Sequence, residues 1–202
     1  MENRKEKIGL VIMASGLGKR FGNANTNKLL EELGGKPLIK WIIDSTENLF
    51  DKRVVVTRSR EVKALCDGLK LECIMHDFPN RNDTVKLGLS AVKEEIDYCF
   101  FVPGDQPLIS TNTIVRLINE AKEHKTDIIR PGFCEMVGSP IGFSKRFFEE
   151  LLMLPEKKGG NYIAMNNQEL VRTVTVTDEY ELWDVDTTKD LEKIKRIVEL
   201  RY

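Results

Sequence analysis

The sequence has few of the residues from which structural zinc sites are built. It contains four cysteines and two histidines among 202 residues, and no two cysteines form a Cys-x-x-Cys pair. Because zinc sites need clustered cysteine and histidine ligands, a structural zinc site is not expected. Cysteines scattered in or near apolar runs are most simply reduced core residues, which favours the cytoplasm. The two histidines, His76 and His124, have no partner at ligand spacing, and we expect solvated or turn residues there.

An excess of charge of one sign is also absent. Lysine and arginine number 31 and aspartate and glutamate 32, which gives a net charge of −1. Such a chain has no overall attraction to nucleic acid or to an anionic membrane, so any anion site must be a local cluster. Long apolar runs are missing as well: the run over residues 8–13 is far shorter than the roughly 20 residues of a membrane span. No signal peptide is visible, and we expect a cytoplasmic protein.

Two familiar nucleotide-binding motifs are absent from the glycine-rich segment over residues 11–28. The Walker loop requires serine or threonine after its Gly-Lys pair, but Arg20 follows Lys19 here. The dinucleotide fingerprint requires a third glycine one position before Gly22. These departures argue against a P-loop NTPase and against a nicotinamide oxidoreductase.

Short continuous apolar runs alternate with helical patterns along the first two thirds of the chain. Such runs are typical of buried parallel strands, and the candidates cover residues 8–13, 53–57, 71–75, 98–102 and 127–130. Between them, apolar residues at helical spacing follow a cap at Asp83 and another at Ser110, and Pro37 suits the first turn of a helix. The alternation predicts an α/β fold with a single doubly wound, mostly parallel, Rossmann-like sheet.

The pattern changes after about residue 130. Residues 137–143 and 170–177 are predicted to be extended, and helices are predicted behind Ser144, over 159–166 and over 186–200. The C-terminal half therefore carries an acceptor-side insertion within one domain. We expect a single domain over residues 1–202, with a nucleotide-binding half over about 1–130 and an acceptor-binding half over about 131–202.

Six segments, in order, resemble the motifs of one enzyme family. They are the G-x-G-x-R-F-G loop with its following lysine over 16–28, GKPLI over 35–39, NDTVKLGL over 82–89, VPGDQP over 102–107, GSP over 138–140 and DVDT over 184–187. Together they resemble the MobA-like nucleotidyltransferases, which have a molybdopterin-guanylyltransferase-like fold, and most closely the molybdenum cofactor cytidylyltransferase-like branch. Two residues depart from the pattern: Ser139 stands where many relatives have histidine, and Gln106 replaces a frequent methionine.

The resemblance implies a Mg²⁺-dependent transfer of a nucleoside monophosphate from an NTP to a phosphorylated acceptor, with release of pyrophosphate. Glycines let backbone N–H groups approach a triphosphate closely, Arg20 can bind it bidentately, and Lys28 can place a point charge near the α-phosphate. The alternative is a surface loop with solvated charges. The nucleotide-binding residues implied are Ala14, Ser15, Gly16, Gly18, Lys19, Arg20, Lys28, Arg81, Thr84 and Gly104.

The resemblance also implies a metal site and three catalytic residues. Asp105, at the end of a predicted strand, and Asp186 are the implied Mg²⁺ ligands, and Arg20, Lys28 and Asp105 the implied catalytic residues. The alternatives are a turn aspartate at Asp105 and a helix-capping role at Asp186. Asp184 is a weaker ligand candidate.

The resemblance leaves the substrates partly open. Ala14 and Ser15 stand where guanine-using relatives carry two glycines, which favours CTP. Ser139 and Trp183 are the candidate acceptor-binding residues, although Trp183 also fits a core position. A molybdopterin-type acceptor is expected first; methylerythritol phosphate, a sugar phosphate or another small phosphometabolite are alternatives, and an acceptor enzyme can be a partner. A non-catalytic nucleotide-binding protein is the other class considered, and retention of the four charged residues Arg20, Lys28, Asp105 and Asp186 argues against it.

Overall fold

Strands and α-helices alternate one by one over residues 36–133, and the order is less regular before and after that range. A computed structural model describes residues 6–16, 18, 21 and 27–201. Within these residues the strands are β1 (Ile8–Ala14), β2 (Glu32–Leu33), β3 (Lys36–Pro37), β4 (Lys52–Thr57), β5 (Cys73–Met75), β6 (Tyr98–Pro103), β7 (Ile128–Phe133), β8 (Met136–Val137), β9 (Ile141–Ser144) and β10 (Val171–Thr175). The α-helices are α1 (Leu38–Ser45), α2 (Arg60–Gly68), α3 (Arg81–Val92), α4 (Thr111–His124), α5 (Phe148–Leu152), α6 (Gly160–Asn166) and α7 (Thr188–Arg201).

Eight strands form one sheet in the order β10-β7-β9-β6-β1-β4-β5, with β8 paired to the edge of β7. The central strand β1 runs parallel to both β4 and β6, β4 runs parallel to β5, and β10 runs parallel to β7. Among the described strands of this sheet only β8 and β9 run antiparallel to their neighbours, and β2 and β3 form a separate antiparallel pair. The prediction of a mostly parallel α/β sheet is therefore confirmed, and strands from both halves of the chain belong to that sheet.

The strands bury both faces because helices cover both sides of the sheet. Leu10 and Ile12 of β1 belong to a core shared with residues of α1, α4 and α7. Val11, between them, belongs to the opposite core, which includes residues of α3 and α5. Adjacent side chains of a strand point to opposite faces, so a continuous apolar run is what a strand covered on both sides requires. Helix α3 lies close against the sheet at Gly88, where an added Cβ would be 2.3 Å from Val11 Cγ1.

Several predicted boundaries differ from the structure. The N-cap of α3 is Asn80, and not Asp83 as predicted; the Asp83 carboxylate instead accepts a hydrogen bond from the Asn80 N–H, at 3.1 Å. The predicted extended segment over 137–143 is broken into β8 and β9, with a cis peptide bond between Ser139 and Pro140. The pattern of apolar and polar residues indicates which positions are buried. It does not indicate which residue caps a helix or where a strand is interrupted.

The positions of the cysteines agree only in part with the sequence prediction. All four cysteines are free thiols, and Cys66 and Cys99 are buried as predicted. Cys134 is exposed at the turn between β7 and β8, so the expectation of a core position is wrong there. No helix in the described part of the chain has both the length and the apolar character needed to cross a membrane.

Candidate active site

A cleft of about 510 Å³ opens at the carboxyl ends of β1, β4, β5 and β6. This edge is where ligands bind in open α/β sheets, because loops leaving adjacent parallel strands surround a common space. Predicted nucleotide-binding residues from three separate parts of the sequence line the cleft, namely Ser15, Gly16, Gly18, Lys28, Arg81 and Thr84. The predicted metal ligands Asp105 and Asp186 line it as well.

The ammonium group of Lys28 is the centre of the charged end of this cleft. Its Nζ lies 2.5 Å from Asp105 Oδ2, 3.3 Å from Asp186 Oδ1 and 2.8 Å from the Val185 carbonyl oxygen. Lys28 is only 5% exposed, and it begins a short 3-10 turn that the Asn27 side chain caps by accepting a hydrogen bond from the Leu29 N–H. A buried lysine needs this pairing because removing an ammonium from water without a counter-charge is costly.

Backbone hydrogen bonds hold the two acidic residues in place. The Gly104 N–H donates to the Met13 carbonyl at 2.9 Å, which joins the loop after β6 to the end of β1. The Val185 N–H donates to the Asp105 carbonyl at 2.8 Å, which joins that loop to the segment before α7. Asp105 therefore sits at a position that both neighbouring segments constrain.

Of the two roles considered for Asp186, metal binding and helix capping, the capping role belongs to its neighbours. Thr187 and Asp190 cap α7: Asp190 Oδ2 accepts hydrogen bonds from the Thr187 N–H at 2.8 Å and from the Asp186 N–H at 3.2 Å, and the Asp190 N–H donates to Thr187 Oγ1 at 3.2 Å. This reciprocal arrangement is a capping box. The Asp186 side chain contacts Lys28 instead, and its role as a metal ligand stays a prediction.

The donor set at the charged end fits a hard divalent cation. Two carboxylates from distant parts of the chain lie within hydrogen-bonding distance of the same cationic nitrogen, so a single cation can contact both. Among the described residues no group of three or more His, Cys, Asp or Glu side chains is placed to hold a metal ion by itself. Mg²⁺ commonly binds through one or two carboxylates and completes its shell with substrate phosphates and water, and this pair meets that description.

Asp184 lies where this cleft meets two others, and protein surrounds much of its carboxylate although part of the residue faces the clefts. Desolvation by the surrounding protein and the negative charges of Asp105 and Asp186 raise the pKa of Asp184 to about 7. Desolvation is the larger cause and the like-charged neighbours the smaller one, while the charges of Arg81 and Lys28 oppose the rise. Added positive charge at this end of the cleft would therefore be favourable.

His76, for which a solvated or turn position is expected from the sequence, is instead buried and connects the glycine loop after β1 with the segment after β5. It is 8% exposed; its Nε2 lies 2.7 Å from Ser15 Oγ, and its Nδ1 accepts a hydrogen bond from the Phe78 N–H at 3.2 Å. Because Nδ1 is an acceptor, the neutral ring carries its proton on Nε2 and donates to Ser15, whose hydroxyl donates in turn to the Val56 carbonyl at 3.1 Å. Burial, and next the charge of Arg58, lower the pKa of His76.

We expect stability to decline at mildly acidic pH because of His76. Its folded-state pKa lies below the unfolded value of about 6.5, although Asp77 and Asp83 oppose the shift caused by burial and Arg58. Its contribution is therefore fully present above about pH 6.5 and is lost as pH falls through the folded-state pKa. The free energy of unfolding, measured by urea titration between pH 7.5 and 5.5, should fall more in the wild type than in His76→Gln.

The exposed histidine of the chain provides the control for this measurement. His124 lies 3.5 Å from Glu120 on the surface of α4, and His124→Gln should keep most of the wild-type pH dependence. Identical pH slopes in the wild type and His76→Gln would show that His76 does not titrate differently in the folded protein.

A second cleft, of about 410 Å³, adjoins the first and contains the predicted acceptor residue Ser139. Its lining includes three cationic side chains, Arg81, Lys157 and Lys158. Gln106, which departs from the family pattern, holds the Ser139 loop: its buried amide nitrogen donates to the Ser139 carbonyl at 2.7 Å and to the Glu181 carbonyl at 2.8 Å. The departure at Gln106 thus places an amide where two buried carbonyls need a donor.

Some of the predicted site residues do not line either of these two clefts. Trp183 lines a third cleft of about 380 Å³, together with Asp184 and Asp186, and its ring stacks under the Lys193 ammonium at 4.3 Å. Ala14 is buried in the core, and the N–H of Gly104 is used within the framework. Neither residue belongs to the cleft lining among the described residues, and their nucleotide-binding roles stay predictions. Lys19 and Arg20 lie outside the described residues.

The sequence reasoning missed several residues that line the clefts. Arg58 and Phe78 follow β4 and β5 directly, so the rule that ligands bind after parallel strands could have found them. Lys157 and Lys158 precede a Gly-Gly pair, a composition that also marks an anion site. These features are visible in the sequence, but the positions lie outside the six segments that resemble the family motifs.

Comparison with known proteins identifies the family. The model of the MobA-like NTP transferase domain matches residues 10–172. A probable molybdenum cofactor guanylyltransferase of Natranaerobius thermophilus is 25% identical over 95% of this chain and 96% of its own length. A 2-C-methyl-D-erythritol 4-phosphate cytidylyltransferase of Endomicrobium trichonymphae is 31% identical over 60% of this chain, and the match spans 57% of that protein.

Solved structures share the fold over nearly the whole chain. Rv0371c of Mycobacterium tuberculosis superposes with a TM-score of 0.82 at 24% identity, covering 95% of this chain and 98% of its own. The same mycobacterial protein in complex with manganese superposes with a TM-score of 0.74 at 20% identity, covering 94% and 98% of the two chains. At these identities the likeness shows the fold alone.

Proposed function

Because this chain belongs to the MobA-like NTP transferase family and is a nucleotidyltransferase, we propose that it transfers a cytidylyl group from CTP to a phosphorylated small-molecule acceptor and releases pyrophosphate. The acceptor that we propose first is a molybdopterin-type cofactor. The observation that carries the proposal is the meeting of Lys28, Asp105 and Asp186 at the charged end of the cleft.

The side chains in the first cleft can position and neutralise a triphosphate. Gly16, Gly18 and Lys28 line the same cleft, and the Lys28 side chain packs beside Gly18, so backbone and ammonium can approach the same phosphate groups. Nucleotidyl transfer accumulates negative charge on the transferred and leaving oxygens, and fixed positive charge lowers that barrier. Lys28 has the position for this role, provided that its ammonium moves from the acid pair toward the α-phosphate when a nucleotide binds.

The acid pair has the character of a metal site for such a reaction. Asp105 and Asp186 are the residues that we propose to hold Mg²⁺, which when bound would neutralise phosphate charge. The complex of a structural relative with manganese supports a divalent ion in this fold family. A divalent ion would take over the neutralisation that Lys28 gives the two carboxylates in this structure.

The choice of nucleotide and acceptor rests on separate observations. Ser15 lines the cleft where guanine-using relatives carry glycine, which reduces the room for a purine and supports CTP. GTP is the competing donor, because a relative that matches 95% of this chain is a probable guanylyltransferase. The three cations of the second cleft support a phosphorylated acceptor. Methylerythritol phosphate is the alternative acceptor, favoured by the cytidylyltransferase relative, followed by a sugar phosphate.

A pyrophosphate-release screen tests the proposal. The protein is incubated with each of the four NTPs, with Mg²⁺ or Mn²⁺, and with molybdopterin, methylerythritol phosphate or hexose phosphates as acceptors. The expected result is acceptor-dependent pyrophosphate release that is fastest with CTP. Equal rates for CTP and GTP would contradict the donor preference, and binding of NTPs without turnover on any acceptor would favour a non-catalytic nucleotide-binding protein.

A further inference from the structure

An aromatic ring is exposed on the lining of the nucleotide cleft. Phe78, three residues after the end of β5, is 55% exposed and lines the cleft together with Ser15 and Gly16. Single exposed apolar residues are ordinary on protein surfaces, so exposure alone assigns nothing. Phe78 differs from such residues because it lines the cleft and because a buried side chain fixes its position.

The attachment of Phe78 is made by His76. The Phe78 N–H donates to His76 Nδ1, and the two rings stack with centroids 6.0 Å apart and planes inclined by 24°. His76 is itself anchored to the sheet, because its N–H donates to the Thr57 carbonyl at 3.0 Å and its Nε2 contacts Ser15. One flank of the Phe78 ring is therefore held against a buried partner, while over half of its surface remains open.

The sheet order places Phe78 and the acid pair at different ends of the cleft. Asp105 follows β6 and Phe78 follows β5, and β1 and β4 lie between these strands. Three inter-strand spacings of about 4.8 Å separate the two strand ends by about 14 Å. If the phosphates bind at Lys28, the nucleoside extends along the cleft toward Phe78.

We propose that the nucleobase stacks on Phe78, the ring that His76 contacts through the Phe78 N–H and by stacking. The inference rests on the proposed function, since it requires an NTP in the first cleft. Every base has a flat π-face, so stacking on an aromatic ring adds affinity without strict selection of the base. Phe78 thus supplies nucleotide affinity, while selection between pyrimidine and purine is left to the room beside Ser15.

Binding of CTP and of inorganic tripolyphosphate, each with Mg²⁺, separates base contacts from phosphate contacts. Isothermal titration calorimetry is performed on the wild type, Phe78→Ala, Phe78→Leu and Phe78→Tyr. We expect Phe78→Ala to weaken CTP binding by about 10-fold or more, on the scale of base-aromatic stacking, and to leave tripolyphosphate binding unchanged. Phe78→Leu should be weakened nearly as much, because it keeps apolar area without a flat ring, and Phe78→Tyr should bind CTP like the wild type.

Met75 provides the matched control. It is 49% exposed at the end of β5, and Met75→Ala should bind both ligands like the wild type. Unchanged CTP affinity in Phe78→Ala would overturn the inference while leaving the proposed function intact, and so would an equal loss for CTP and tripolyphosphate. A wild-type protein that binds none of the four NTPs would overturn the proposed function, and the inference with it.

Discussion

Replacing Asp105 by asparagine is expected to lower the turnover number about 100- to 1,000-fold, the scale of removing one charge contact from a transition state. Asparagine keeps the size of the side chain and the backbone hydrogen bonds of this loop to Met13 and Val185, so the fold should be retained. Nucleotide binding should weaken by much less, because the glycines and Lys28 remain in place. Steady-state rates of pyrophosphate release and calorimetric CTP affinity measure the two effects.

The same variant should lose its response to divalent cations. Only Asp186 of the acid pair would keep a full negative charge, so the increase in Tm that Mn²⁺ produces in the wild type should be strongly reduced. Asp67→Asn is the matched control, because Asp67 is an exposed aspartate paired with Lys63 on the outer surface of α2. Wild-type turnover in Asp105→Asn would exclude the carboxylate from the chemistry.

Replacing Lys28 by methionine is expected to produce the other large effect. The single-turnover rate should fall about 100- to 1,000-fold, since a positive charge beside the reacting phosphate is lost. Stability without metal should also fall, because two carboxylates would face each other without their shared ammonium. The loss should be about 2 kcal/mol, between the small value of a surface pair and the larger value of a fully buried one, because the Asp186 side chain is 40% exposed.

Divalent cations distinguish this interpretation from a simple packing defect. In Lys28→Met, Mn²⁺ should raise Tm more than in the wild type, because the metal no longer competes with the ammonium for the two carboxylates. Lys63→Met removes a partly exposed lysine with an aspartate partner on α2, and it should respond to Mn²⁺ as the wild type does. An unchanged single-turnover rate in Lys28→Met would remove Lys28 from the mechanism.

Much of the fold could be predicted because buried strands and helices require characteristic arrangements of apolar residues along the chain. The continuous apolar runs over 8–13, 53–57 and 98–102 correspond to β1, β4 and β6, since strands covered on both faces need apolar residues at every position. The helix behind Ser110 was predicted from the spacing of its apolar residues. The position of the glycine loop after the first strand likewise predicted a site at the edge of the sheet where the first cleft opens.

Contacts between distant residues could not be predicted in the same way. The antiparallel insertion of β9 between β6 and β7 leaves no local mark, because an apolar run is the same in either direction. His76 and Ser15 are 61 positions apart, and no spacing rule links them. A histidine's partner depends on which strand ends become neighbours, which is a property of the sheet order.

By itself, the sequence determined the main buried strands, several of the helices and the loop that holds the glycines, since each of these depends on the polarity and backbone preferences of neighbouring residues; it did not reveal α2, β2 or β3. The tertiary structure alone decided that Lys28 lies against Asp105, 77 positions away, and Asp186, 158 positions away. It also decided that Phe78 remains exposed in the cleft. Side chains so distant along the chain meet only when the packing of the whole sheet brings its strand ends together, and local patterns carry no information about that order.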